Sequence, residues 1–111
     1  MSILSTPNEE DVYFNFINSL KSDVTKKTYE REIKKYMNFC GVEKLSDLLL
    51  VEPQKQIVKY LMSLREKGLS YNTLSLSLCA IYHFYEMNDV VLNKKKINMF
   101  KGEFKKFVDR S

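Results

Sequence analysis

The stretch that decides the fold is Leu69–Tyr85, LSYNTLSLSLCAIYHFY. At helical spacing Leu74, Leu78, Ile81 and Tyr85 fall on one face. Leu76, Cys79, Ala80 and His83 fall on the opposite face, which is also largely apolar. A helix that is apolar all round is a buried one. About 16 residues of helix span roughly 24 Å, short of a bilayer crossing. The stretch therefore reads as the central helix of a small helical domain, with no membrane as partner.

Its beginning differs from its body. Ser70 is a good N-cap, because its hydroxyl accepts from the open N–H groups of the first turn. Leu69 before the cap and Leu74 at the fourth helical position make a hydrophobic staple. Tyr71, Asn72 and Thr73 between them are polar or amphipathic and belong near the surface. A buried rod with such a start turns a donor-rich, positively polarised end toward solvent, which suits an anion, phosphate foremost. The plainer alternative is that these residues only cap the helix, which is the commoner use of Ser and Thr.

Upstream of this helix, Pro53 opens a third helix that ends before Gly68, with Ile57, Leu61 and Leu64 inward. The connection is short, so the third and central helices are neighbours. A second helix runs from Ser22 or Asp23 to Gly41, a natural left-handed C-terminal residue. Tyr29, Ile33, Tyr36, Met37 and Cys40 form its inward face, and Lys27, Arg31, Lys34 and Asn38 project from the other side. A first helix spans about Asn8–Leu20, with Tyr13, Phe16, Ile17 and Leu20 as its apolar stripe and Glu9, Glu10 and Asp11 against its N-terminal dipole. A short turn surrounds Leu45, Leu48 and Leu49. Residues 1–8 read as a flexible leader. In the tail, Ile97, Phe100, Phe104 and Phe107 keep helical spacing among lysines, which reads as a last helix laid on the core.

The totals agree with a single all-α domain of 111 residues. Hydrophobic residues make up 44% and charged residues 29%, which excludes wholesale disorder. Three Gly and two Pro leave little turn chemistry for a β-rich chain. The net charge of +4 points to a polyanionic partner, and its distribution says more. Residues 21–35 carry six bases against three acids, and residues 94–106 carry six lysines against one glutamate. Cys40 and Cys79 read as small packing residues in a reduced compartment, without the neighbours that a zinc site needs. With no signal peptide or apolar span in the pattern, a cytoplasmic location is the default. Nothing in the sequence calls for a cofactor or a metal.

Two stretches, SDVTKKTYEREIKKYMNFC (residues 22–40) and KGLSYNTLSLSLCAIYHFY (residues 67–85), carry a family resemblance. The first follows S-x-x-T-x-x-x-Y with an apolar helix ending in an aromatic. The second follows G-L-S-x-x-T with a leucine-rich helix ending in an aromatic pair. In this order and separation they resemble the core-binding domain of tyrosine recombinases, the phage-integrase superfamily, over roughly residues 9–100. The closing VDRS looks like the linker before the catalytic domain in archaeal members. The chain departs from the family at Asn93, which is followed by Lys94 where the family often has proline. The resemblance implies a SAM-like bundle of four to five helices over 9–100. It also implies a basic linker at 101–111 and a catalytic half lying after residue 111. It further implies one half of a clamp on double-stranded DNA, other recombinase protomers on the same DNA, and a monomeric isolated domain.

That family cuts DNA with a tyrosine nucleophile, two arginines, a lysine and a His-x-x-Arg element. The three arginines here, Arg31, Arg65 and Arg110, are scattered, and the one histidine, His83, has Glu86 three residues on. No catalysis by this chain is expected, and His83 reads as a packed core residue. The expected DNA contacts are Lys26, Lys27, Arg31, Lys34 and Lys67 to phosphates, with Lys94, Lys95 and Lys96 as a further group. Ser70, Tyr71, Asn72, Thr73 and Ser75 approach the groove from the start of the central helix, and Asn72 suits adenine. The bland reading of the lysines is a solvated face. Two other classes remain: a helical protein–protein interaction module, and a stand-alone DNA-binding regulator of the same fold.

Overall fold

The computed structural model describes residues 8–100. Along the chain come α1 (Glu9–Ile17), α2 (Asp23–Cys40), a 3-10 turn (Leu45–Leu49), α3 (Pro53–Glu66), α4 (Tyr71–Met87) and α5 (94–100). The described residues contain no strand, so the expected all-α class holds. None of their helices is long and apolar enough to cross a membrane. The expected leader up to residue 7, Phe104, Phe107 and the expected linker at 101–111 lie outside the described residues.

The helix ends follow from local chemistry. Asn8 caps α1, its Oδ1 accepting from Glu10 N–H at 2.7 Å and Asp11 N–H at 3.3 Å. Ser22 does the same for α2, accepting from Val24 N–H at 3.2 Å and Thr25 N–H at 3.4 Å. Gly41 closes α2 at φ +75°, a conformation that strains any residue with a Cβ. Pro53 opens α3 as expected. Ser70 caps α4, accepting from Thr73 N–H at 3.2 Å. Asn93 caps α5 by accepting from Lys96 N–H at 3.0 Å. Its own backbone is clasped by Gln54, whose Oε1 accepts from Asn93 N–H at 3.0 Å.

α4 is the centre of the bundle. It packs against α1, α2 and α3, most extensively against α2. Leu74, Leu78, Ala80, Ile81, Phe84 and Tyr85 are buried along it. Tyr85 donates to the Leu48 carbonyl at 3.0 Å and lies 3.1 Å from the Tyr36 hydroxyl. That pair ties α4 to α2 and to the 3-10 turn through satisfied polar atoms inside the core. Burial pushes both phenols far above their ordinary range. His83 packs between the Phe16 and Tyr29 rings, with Nε2 at 2.7 Å from Ser19 Oγ and 3.1 Å from the Phe16 carbonyl. Burial lowers its pKa, and the residue that the sequence placed in the core is half-buried at the core's edge.

Three expectations need correction. α1 stops at Ile17 rather than Leu20: Asn18 N–H makes the last helical bond, to the Phe14 carbonyl at 2.9 Å, and Leu20 N–H turns back to the Ile17 carbonyl at 3.0 Å. Ser19 Oγ donates to the Asn15 carbonyl at 3.2 Å, the acceptor that the next helical N–H would use. The buried stripe of this shorter helix is Val12, Phe16 and Ile17, and Tyr13 turns outward. α4 is not apolar all round, since Asn72, Cys79 and Glu86, seven residues apart, share an exposed line. Cys79 is therefore an exposed free thiol rather than a packing residue, and Cys40 is half-buried.

Candidate nucleic-acid interface

A groove of about 480 Å³ opens where α2, the end of α3 and the start of α4 converge. The connection between α3 and α4 explains why it forms. Gly68 at φ +78° ends α3 and lets the chain reverse within a few residues. Lys67 at the end of α3 and Thr73 in the first turn of α4 are thereby brought to one rim. The opposite rim is the α2 row Lys35, Asn38 and Phe39, and Glu32 and Ser77 close the floor.

The floor is polar and fully partnered. Ser77 Oγ donates to Glu32 Oε1 at 2.9 Å, inside the protein. Glu32 Oε2 lies 3.4 Å from Lys35 Nζ and 3.5 Å from Arg31 Nε. Burial, and then the Glu32 charge, pushes the Tyr60 phenol in the groove wall up to about 12, so it stays a neutral group at physiological pH. At the α4 start, Ser70 and Asn72 are exposed, and Tyr71, Thr73 and Ser75 are half-buried. Of these, Thr73 lines the groove, and no described element buries any of them completely.

The expected DNA-contacting residues divide into three places. Lys67 and Thr73 line the groove, Arg31 joins it through its ion pair with Glu32, and Ser70 through its hydroxyl contact with Thr73 Oγ1 at 3.1 Å, whereas Asn72 is a quarter-turn and Tyr71 and Ser75 nearly a half-turn round α4 from Thr73. Lys27 lies one turn before Arg31 on the exposed line of α2, and Lys26 is half-buried on the flank. Lys34 faces away from the groove. It lines a smaller concavity with Glu9, Glu30 and Glu43, where acids surround it. Lys94, Lys95 and Lys96 lie at the far end of α4. Lys94 pairs with Glu86 and sits 5.2 Å from the centre of the Tyr82 ring. Lys96 lines a separate recess between α3 and α5 with Lys55 and Lys59, and Lys95 is exposed. α4 is 17 residues long, roughly 25 Å at 1.5 Å per residue, which separates this group from the groove.

The sequence reading missed Lys35 and Glu32. Their signal was present: Glu32, Lys35 and Phe39 recur at i, i+3 and i+7, one row round from the Lys27–Arg31 line. Comparisons with protein-family models, with curated proteins and with solved structures found no match.

Proposed function

We propose that this chain binds duplex DNA through the α2–α3–α4 groove, as the non-catalytic core-binding module of a tyrosine recombinase that clamps its recombination site. The observation that carries the reading is the convergence at one groove of Lys35, Lys67 and Thr73 in the first turn of α4, with Arg31 tied to the groove floor through Glu32. Cations at the rim suit the phosphate backbone, which sets affinity without regard to sequence. Asn72 has the donor and acceptor that pair with an adenine edge in the major groove. The recombinase assignment rests on the two motif stretches, whose helices, α2 and α4, are two of the three that line this groove. Strand cleavage, and the assembly of several protomers on DNA, belong on this reading to a catalytic part outside residues 8–100.

The lysines at 94–96 enter the proposal only in a lesser role. Lys94 has a carboxylate partner, and the group lies a helix length from the groove. Lys34 has no part in it, because its acidic surroundings offset its attraction for phosphate.

Fluorescence anisotropy with a labelled duplex of mixed sequence, titrated across a salt series, tests the proposal. Binding that weakens linearly in the logarithm of salt concentration is expected. A second reading, a protein–protein interaction module, is favoured by Phe14 at 61% exposed and Val91 at 93% exposed. The Asn15–Asn88 hydrogen bond of 3.2 Å draws α1 and the end of α4 together near these residues. That reading expects weak DNA binding that the groove variants leave unchanged.

A further inference from the structure

Glu32 is the only charged side chain buried among the described residues, and it sits in the floor of a groove whose rim is basic. A carboxylate there opposes the attraction of a polyanion. Its burial is tolerable because each oxygen is partnered, Oε1 by Ser77 and Oε2 by Lys35 and Arg31. The partners differ in kind. Ser77 is buried on α4, whereas the Lys35 and Arg31 side chains are 53% and 60% exposed. The carboxylate therefore joins a fixed point in the core to two cations that still reach solvent.

We propose that Glu32 is a positioning residue of the DNA groove, holding Arg31 and Lys35 in register with the start of α4 through Ser77. The inference rests on the DNA-binding reading and adds to it what fixes the geometry of the cationic rim. Free lysine and arginine side chains sample many rotamers, and ordering them on binding opposes affinity. Cations already anchored lose less freedom when a rigid duplex presents phosphates at fixed spacing. Arg31 is held through Nε, the inner nitrogen of its fork, which leaves the outer pair for a phosphate oxygen. A flexible polyanion gains little from this order, because it adapts to cations wherever they point.

The test compares a labelled mixed-sequence duplex with labelled heparin as the flexible polyanion, against the parent chain and Glu32→Gln. Glutamine keeps an oxygen for Ser77 and removes both ion pairs. The duplex is expected to bind roughly tenfold more weakly, the scale of a single charge-assisted hydrogen bond, while heparin binds as well or better. Tighter binding of both probes would reduce Glu32 to an unfavourable charge and overturn the proposal, and so would unchanged duplex binding. Ser77→Ala leaves every charge in place and cuts the tie to α4. It is expected to weaken duplex binding in the same direction, with heparin unchanged, and it decides the matter if circular dichroism shows Glu32→Gln unfolded. A parent chain that does not bind the duplex refutes the DNA reading and this inference with it. A parent that binds, with both variants equal to it, refutes the role of Glu32 alone.

Discussion

Replacing Lys35 and Lys67 together with alanine separates groove binding from general attraction to a basic protein. The two lysines stand on opposite rims of one concavity, and neither is needed to fill the core. Removing one lysine–phosphate pairing flattens the slope of log K against log salt by about 0.9 on duplex DNA, so the double variant flattens it by roughly 1.8. Between 50 and 200 mM salt that change in slope amounts to about tenfold in relative affinity. A control variant, Lys34→Ala with Lys94→Ala, removes the same formal charge. Lys34 lies among Glu9, Glu30 and Glu43, and Lys94 pairs with Glu86, so these cations have little attraction left for phosphate. The control is expected to shift the slope by less than half as much. Anisotropy titrations at four or more salt concentrations, with circular dichroism to confirm folding, give both slopes. Equal slopes for the two variants would refute a localised groove and leave only net charge as the source of binding.

Three further outcomes test the fold. Tyr85→Phe takes away the donor to the Leu48 carbonyl and the hydroxyl facing Tyr36, leaving two buried polar groups short, whereas Tyr36→Phe leaves the Leu48 bond intact. Chemical denaturation is expected to show Tyr85→Phe destabilised by about 2–4 kcal/mol and Tyr36→Phe by about 1 kcal/mol, and the reverse order would contradict the assigned donors. His83 has its folded pKa lowered from the ordinary 6.5 by burial, so as pH falls through 6.5 the unfolded chain takes up the proton first. Thermal stability should therefore fall from pH 7 toward pH 5, and His83→Gln should flatten that part of the Tm profile. Gly41→Ala meets no atom within 4 Å, so its effect is backbone strain alone at φ +75°. A loss of about 1 kcal/mol is expected, and an unchanged denaturation midpoint would argue against the left-handed helix end.

The elements were legible wherever a cap, a proline or a glycine stood beside an apolar period. Ser22, Gly41, Pro53 and Ser70 mark helix ends in the sequence and mark them in the structure. The end of α1 was not legible, because the apolar stripe continues to Leu20 while Ser19 Oγ takes the Asn15 carbonyl and Leu20 N–H turns back to Ile17. The exposed line through Cys79 was hidden by residue type, since Leu76, Cys79 and Ala80 look equally apolar in sequence. It took the placement of α2 and α3 against α4 to show which side is left to solvent. The candidate site was half legible. The start of α4 and Lys67 could be read from one stretch, but which α2 cations join them depends on the rotation of α2 about its axis. A turn of that helix by one residue separates Lys34, among acids, from Lys35, on the groove rim. Glu32 was the least legible, because burial of a carboxylate needs a partner 45 residues away in Ser77.

The central claim concerns where DNA meets the molecule, and amide chemical-shift mapping during titration with a short duplex measures that directly. The shifts are expected to concentrate at residues 31–39 of α2, at Lys67 and at residues 70–75, with little change along Lys94–Lys96. Shifts centred on Phe14, Met87 and Val91, or spread evenly over every lysine, would contradict it.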